Sequence, residues 1–397
     1  MGKNYFKFVV KMRKIKVFFF ISSLAGGGAE RVMVDLLRNI DRKKCEPILV
    51  LLYPCEDSPY RQYLPEDIRV VVVPRKTDSV PAKMKQFLDF LKTVRKERPD
   101  VILSMLTHNN IMALLSCLLF RIRVIACEHN TLSEVMKTEE GRSMLGMPVA
   151  PMVKVLYRFA ENIITVSEGI RSDLISAIGI SPHRIKTIYN PIDLNRVNSL
   201  MHAPPGHPFF AEQKPVVVAM GRMTAQKRFD ILLNAFSRVV LSTDARLIIL
   251  GEGPEQTRLG NMVKDLGIEE KVSLAGFQRN PYALLAHADV FVLSSQYEGL
   301  PMAILEAMAC GLPVISTDCR SGPREILQDG QCGILVPVND EATLAEAMTE
   351  LLKDKKKREE LSERGKERVK HFSVGEIVRQ YEEIICKEAV SHLKKSS

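Results

Sequence analysis

The chain has 397 residues, 46% hydrophobic and 26% charged, with 56 Lys and Arg against 47 Asp and Glu. This length is too great for one ordinary core and suits two α/β domains, because single cores stop growing near about 250–300 residues; the composition is globular and excludes a disordered chain. Eight cysteines without a C-x-x-C pair or zinc spacing give a reduced, cytosolic pattern, and the longest apolar runs, Val17–Ile21 and Ile111–Phe120, fall short of the roughly 20 residues that a spanning helix needs.

From the N-terminus, the basic residues Lys3, Lys7, Lys11, Arg13, Lys14 and Lys16 lead into an apolar run with no small-residue cleavage site, so the segment reads as a strand and not as a signal peptide. Short apolar runs then recur at Ile15–Ile21, Ile48–Tyr53, Val70–Val73, Val101–Met105, Val124–Cys127 and Ile163–Val166. Most are β-branched and apolar on both sides, as strands of a buried parallel sheet are. Helical patterns such as Ala29–Asn39 and Ala82–Arg98 separate them, and this alternation predicts a doubly wound sheet. Turn residues from Asn190-Pro191 to His207-Pro208 form the best linker. A second series follows at Val216–Met220, Leu247–Leu250, Val272–Leu274, Val290–Leu293, Val314–Ser316 and Ile334–Val336. Three helical stretches close the chain, Glu341–Lys353, Lys357–Lys370 and Val374–Lys394.

The charge divides unevenly. Residues 1–195 carry 30 Lys and Arg against 20 Asp and Glu, a net of +10, and residues 196–397 carry 26 against 27, a net of −1. A solvated basic surface, nucleic acid, anionic lipid or a phosphorylated substrate would each account for this. Aromatic residues make up only 6%, Trp is absent, and no nucleic-acid module is recognisable, so no nucleic-acid partner is expected.

Three places carry candidate chemistry. In the first, Gly26-Gly27-Gly28-Ala29-Glu30-Arg31 takes a strand through glycines into a helix. Such a turn lets backbone approach a phosphate at a helix N-terminus, although a tight turn without ligand explains it too. In the second, Gly221-Arg222 with Lys227 follows a strand and offers a planar fork and a point charge for a diphosphate; a solvated basic loop is the alternative. The third is the run Glu298-Gly299-Leu300-Pro301-Met302 through Glu306, after the strand Val290–Leu293. It sets Glu298 at the carboxyl edge of a sheet and Glu306 about two turns into an apolar helix, where a carboxylate needs a partner: ribose hydroxyls or a structural Arg.

With Glu128-His129-Asn130, Val166-Ser167 and Asn190-Pro191-Ile192-Asp193, these motifs fall in an order that resembles the large retaining GT-B glycosyltransferase family, family 4 (glycosyl transferases group 1), of bacterial glycan assembly. The resemblance spans nearly the whole chain. It implies two facing Rossmann-like domains: residues 1–195 on the acceptor side and 196–375 binding the nucleotide sugar, with a C-terminal helix, 376–397, open to packing back on the first. It further implies that Arg222 and Lys227 clamp the donor diphosphate, and that Glu298 holds hydroxyls of the transferred sugar. Glu306 would bind ribose, and backbone N–H groups from Gly299, Leu300, Pro301 and Met302 would complete the cradle. Gly27, Gly28 and Glu30 would close over the donor from the other domain, and His129 would sit by the anomeric carbon. Cys319 to Glu325 resembles the variant found in enzymes that use UDP-sugars.

No two aspartates stand one residue apart, so no metal is expected on the diphosphate, and no cofactor beyond the nucleotide-sugar substrate. The expected acceptor is a polyprenyl-diphosphate-linked or other lipid-linked glycan, with the protein peripheral at the cytoplasmic face of the inner membrane. Two segments are expected to touch an anionic membrane surface: the basic amphipathic stretch Ala82–Arg98, which would otherwise bury its stripe against the sheet, and Met144–Val153, read as a loop broken by Pro148 and Pro151. A sugar-nucleotide epimerase on the same fold, a phosphorylase and a non-catalytic anion-binding protein remain the alternatives.

Overall fold

The computed structural model describes residues 13–75, 77, 79–137, 143–144, 147–160 and 162–396. Lys3, Lys7 and Lys11 of the basic N-terminus, and Leu145 and Gly146 of the expected lipid-touching loop, lie outside the described residues. The chain forms two compact units, Met1–Pro191 with Val374–Ser397, and Ile192–Ser373.

In the first unit, β1 (Ile15–Ile21), β2 (Cys45–Leu51), β3 (Arg69–Val72), β4 (Val101–Met105) and β5 (Arg123–Glu128) run parallel. Two short antiparallel strands follow, β6 (Ser143–Met144) and β7 (Met147–Pro148). The sheet resumes with β8 (Asn162–Thr165) and β9 (Ile185–Thr187), giving the order β3-β2-β1-β4-β5-β8-β9. Residues Val17 to Ile21 are fully buried, as two helical layers on one sheet require. β9 is a three-residue edge strand with no apolar run to announce it.

Helix α1 (Gly28–Asn39) follows β1, α2 (Val80–Glu97) precedes β4, and α3 (Thr107–Phe120) joins β4 to β5. Ser79 caps α2 by accepting from the Ala82 N–H, and the helix ends at Arg98 with φ +48°. Its inner face is Gln86, Phe90 and Val94; Phe90 stacks on Phe20 at 4.5 Å, and Gln86 Nε2 donates to Leu52 O at 2.9 Å and Val73 O at 2.6 Å. The stretch expected as a loop corrects itself here. Val149–Leu156 is a helix, α4, which buries Val149, Val153 and Leu156. Pro151 is its third residue, in the first turn, where no intrahelical N–H bond is lost.

The last helix, Val374–Ser396, belongs to the first unit. Glu382 accepts from Lys44 Nζ at 2.7 Å and from the Asp41 N–H at 2.8 Å, and Glu388 accepts from Asn162 at 2.6 Å. The turn-rich connection is more than a linker: Asp193 caps a helix over Leu194–Met201, and Asn280 donates to Leu200 O at 2.9 Å.

The second unit contains β10 (Val216–Met220), β11 (Arg246–Leu250), β12 (Val272–Leu274), β13 (Val290–Leu293), β14 (Val314–Thr317) and β15 (Ile334–Val336), ordered β12-β11-β10-β13-β14-β15 and parallel throughout. The helices Phe229–Val239 and Glu341–Lys353 supply much of its core. Each sheet reverses its strand order once, between β1 and β4 and between β10 and β13. Open α/β sheets bind ligands beyond the carboxyl ends of the strands that flank such a reversal.

Candidate functional site

At the reversal of the second sheet, the segment after β10 carries Arg222 and Lys227, and the segment after β13 carries Glu298. Neighbouring strands thus bring together two residues 71 positions apart: Lys227 Nζ lies 2.5 Å from Glu298 Oε1. Ser295 Oγ donates to the same oxygen at 2.6 Å. The loops are tied as well as the side chains, since Gln226 Nε2 donates to Tyr297 O at 2.8 Å, the Gln296 N–H to Gln226 O at 2.9 Å and Ser294 Oγ to Lys227 O at 2.8 Å. The lysine stem lies over Gly221, where an added Cβ would come within 3.0 Å of Lys227 Cε. Arg222 is exposed; its carbonyl accepts from the Thr224 N–H at 2.8 Å, but its guanidinium has no hydrogen-bonded or ion-paired partner among the described residues, so the fork is available to a ligand.

Glu298 is buried, and its backbone N–H and C=O both pair across the loop, with Arg320 O at 2.6 Å and the Ser321 N–H at 3.0 Å. Gly322 closes this turn at φ +97°, and a Cβ there would stand 2.7 Å from Gly299 O and 2.8 Å from Pro301 Cδ. The helix Met302–Ala309 begins directly after Pro301. Its N-terminus and the Gly299–Leu300 backbone therefore sit beside the Lys227–Glu298 pair and add positive dipole. Pro301 itself has no N–H, so within the expected cradle the donors are Gly299, Leu300 and Met302. Glu306 is buried on the same helix and accepts from Tyr282 Oη at 3.2 Å, a partner that the sequence did not announce.

The structure places Gly27, Gly28, Glu30 and His129 in the first unit. Gly26 has φ +102°, Gly27 caps α1, and Gly28 is its first residue. A Cβ at Gly27 would collide with the Glu30 carboxylate, which folds back over the first turn as in a capping box. A carboxylate there accepts from hydroxyls and N–H groups and repels phosphate.

His129 follows β5 and is buried, with Nε2 unpartnered among the described residues. Burial pushes its pKa down to about 4, so the ring is neutral at pH 7 and cannot act as a cation. The preceding Glu128 is held by three donors that sequence reading missed: Thr107 Oγ1 at 2.9 Å, Asn110 Nδ2 at 3.0 Å and the Tyr157 hydroxyl. Burial raises the carboxyl above its ordinary range, against the pull of those donors. The network spans β5, α3 and the residue after α4, and so fixes the backbone that presents His129.

Comparison with known proteins places this geometry. The family model described as Glycosyltransferase Family 4 matches residues 26–196, and that described as Glycosyl transferases group 1 matches residues 206–368. The chain is 30% identical over 370 residues to the Campylobacter jejuni N-acetylgalactosamine-N,N'-diacetylbacillosaminyl-diphospho-undecaprenol 4-alpha-N-acetylgalactosaminyltransferase, covering 92% of this chain and 97% of that one. It is 25% identical to a second Campylobacter jejuni enzyme, an alpha-1,4-N-acetyl-D-galactosaminyltransferase acting on GalNAc-alpha-(1->4)-GalNAc-alpha-(1->3)-diNAcBac-PP-undecaprenol, with 94% and 98% covered. Among solved structures, Anabaena HepE in complex with UDP and glucose superposes with a TM-score of 0.80 at 21% identity, covering 94% of this chain and all of that one. The two parallel-sheet units thus have the GT-B fold, and the chain belongs to the group 1 glycosyltransferases as a hexosyltransferase.

Proposed function

We propose that the chain transfers a hexose or N-acetylhexosamine from a UDP-sugar to a glycan carried on polyprenyl diphosphate, with retention of configuration and without a divalent metal. The observation that carries this is the cluster at the β10–β13 reversal, where Lys227 and Glu298 are paired at 2.5 Å next to an exposed Arg222 and a helix N-terminus. Departure of a nucleoside diphosphate builds negative charge on its phosphate oxygens, and preorganised cations and N–H groups lower that barrier most effectively. Arg222, Lys227 and the N–H groups of Gly299, Leu300 and Met302 supply them. Glu298, an acceptor held by Lys227 and Ser295, suits sugar hydroxyls, and Glu306 with Tyr282 suits the ribose.

In this mechanism the bond from C1 to the phosphate oxygen breaks as the acceptor oxygen adds to the same face. The acceptor proton passes to the departing phosphate. Neutral His129 contributes a hydrogen bond and no charge. The lipid carrier is supported by the two undecaprenol-diphosphate enzymes, and the uridine nucleotide by HepE. The test is a panel of nucleotide sugars offered with a membrane lipid extract. UDP-hexoses or UDP-N-acetylhexosamines are expected to label the lipid. Labelling only from GDP-sugars, or none from any, would overturn the proposal.

A further inference from the structure

Most of the large apolar side chains left exposed among the described residues fall on three helices of the first unit, α2, α3 and α4. Val80, Met84 and Leu88 recur every four residues along one exposed strip of α2, separate from the buried strip of Gln86, Phe90 and Val94. Leu118 and Leu119 stand at the end of α3. Val155 on α4 and Phe159 just beyond it complete the set, and each of the seven is between 41% and 61% exposed. Helix α3 packs against both α2 and α4, so the three form one layer.

Among the described residues, the exposed charges around these side chains that are not ion-paired are cationic. Lys85, Arg95 and Lys96 are exposed on α2, Arg121 follows α3, and Lys154 and Arg158 accompany α4. The segments of α3 and α4 contain no Asp or Glu, and on α2 Asp89 pairs with Lys92 at 2.9 Å while Glu97 pairs with Arg69. The whole first unit holds 34 Lys and Arg against 23 Asp and Glu. A second copy laid on this face would set like charges together. Apolar side chains surrounded by cations match a bilayer with anionic headgroups, where the former enter the acyl boundary and the latter meet the phosphates.

We infer that the outer face of α2, α3 and α4 is the surface by which the protein docks on an anionic lipid leaflet. This goes beyond the transfer reaction, because empty vesicles test it without donor or acceptor. Full-length protein is co-sedimented with vesicles of phosphatidylcholine alone or mixed with phosphatidylglycerol. Binding is expected only with the anionic lipid, and it should weaken at about 1 M salt, where the screening length falls to about 3 Å. Each basic residue removed should lower partitioning about fivefold, so Lys85→Glu with Arg95→Glu should lower it at least about twentyfold. Leu88→Asp with Leu119→Asp should lower it at least about tenfold with an unchanged melting temperature, since both sites are exposed. Equal binding to both vesicle types, or binding undiminished in both double variants, would overturn the inference. So would a dimer in sedimentation velocity that Leu88→Asp with Leu119→Asp disperses, because the face would then belong to a second copy.

Discussion

Replacing Glu298 by Gln removes a charge from the Lys227 pair while preserving the side chain's shape. The side chains of Lys227 and Glu298 are only 16% and 8% exposed, so the pair is poorly but not wholly screened. Breaking a buried pair by deleting one partner costs about 3–5 kcal/mol, and with residual solvent contact we expect about 2 kcal/mol of stability lost. Lys227→Met should cost a similar amount, and the double variant should lose less than the sum, with a coupling of about 1–2 kcal/mol. Turnover should fall at least about a hundredfold in each single variant, corresponding to about 3 kcal/mol of transition-state stabilisation. Affinity for UDP should separate the two. Without the carboxylate, the lysine charge is no longer engaged and the diphosphate loses an unfavourable neighbour, so Glu298→Gln should bind UDP as well as the unmodified protein or better. Lys227→Met should bind it more weakly. Urea unfolding, UDP calorimetry and turnover at saturating donor together test this. Near-normal turnover in either variant, or equal loss of UDP affinity in both, would refute the reasoning.

A chelator should leave turnover unchanged, because Arg222 and Lys227 carry the charge that a metal would otherwise supply; loss of activity restored only by a divalent ion would contradict this. Between pH 6.5 and 4 the unfolded chain takes up a proton that buried His129 refuses, so stability should fall by up to about 3 kcal/mol as pH drops through that window. Glu128, whose pKa is raised, has the opposite sign: in the folded state it keeps a proton above the ordinary carboxylate range, and its contribution weakens as pH rises. Comparing urea unfolding of the protein with His129→Asn across pH 7 to about 4.5 isolates the histidine contribution, and identical slopes would refute it. Gly322→Ala combines a φ of +97° with contacts of 2.7 and 2.8 Å to Gly299 and Pro301, so it should cost about 1–3 kcal/mol and weaken UDP binding. An unchanged melting temperature and affinity would show that the turn is not packed this way.

The strands were legible because both faces of each sheet are covered, so runs such as Val17–Ile21 have no polar side to interrupt them. Helix α3 offers no periodicity to read, since Ile111–Phe120 is apolar on nearly every side. Helix α4 was hidden by Pro148 and Pro151, although Pro151 occupies the one turn that tolerates it. At the site, Arg222, Lys227, Glu298 and Glu306 could each be picked out as charges following strands or embedded in apolar helices. Their partners could not. The contact of Lys227 with Glu298 depends on β10 lying beside β13, and that of Glu306 with Tyr282 on how two helices pack. The support of Glu128 draws on residues 107, 110 and 157, which only the fold assembles.

Transfer of the sugar to the lipid can be followed in a coupled measurement on purified protein, a UDP-sugar labelled in the sugar and a polyprenyl-diphosphate-linked glycan. One UDP should be released for each labelled sugar joined to the lipid, in the anomeric configuration of the donor, with both signals lost together in Glu298→Gln. UDP released without transfer to the lipid, or transfer with inversion, would contradict the proposed function.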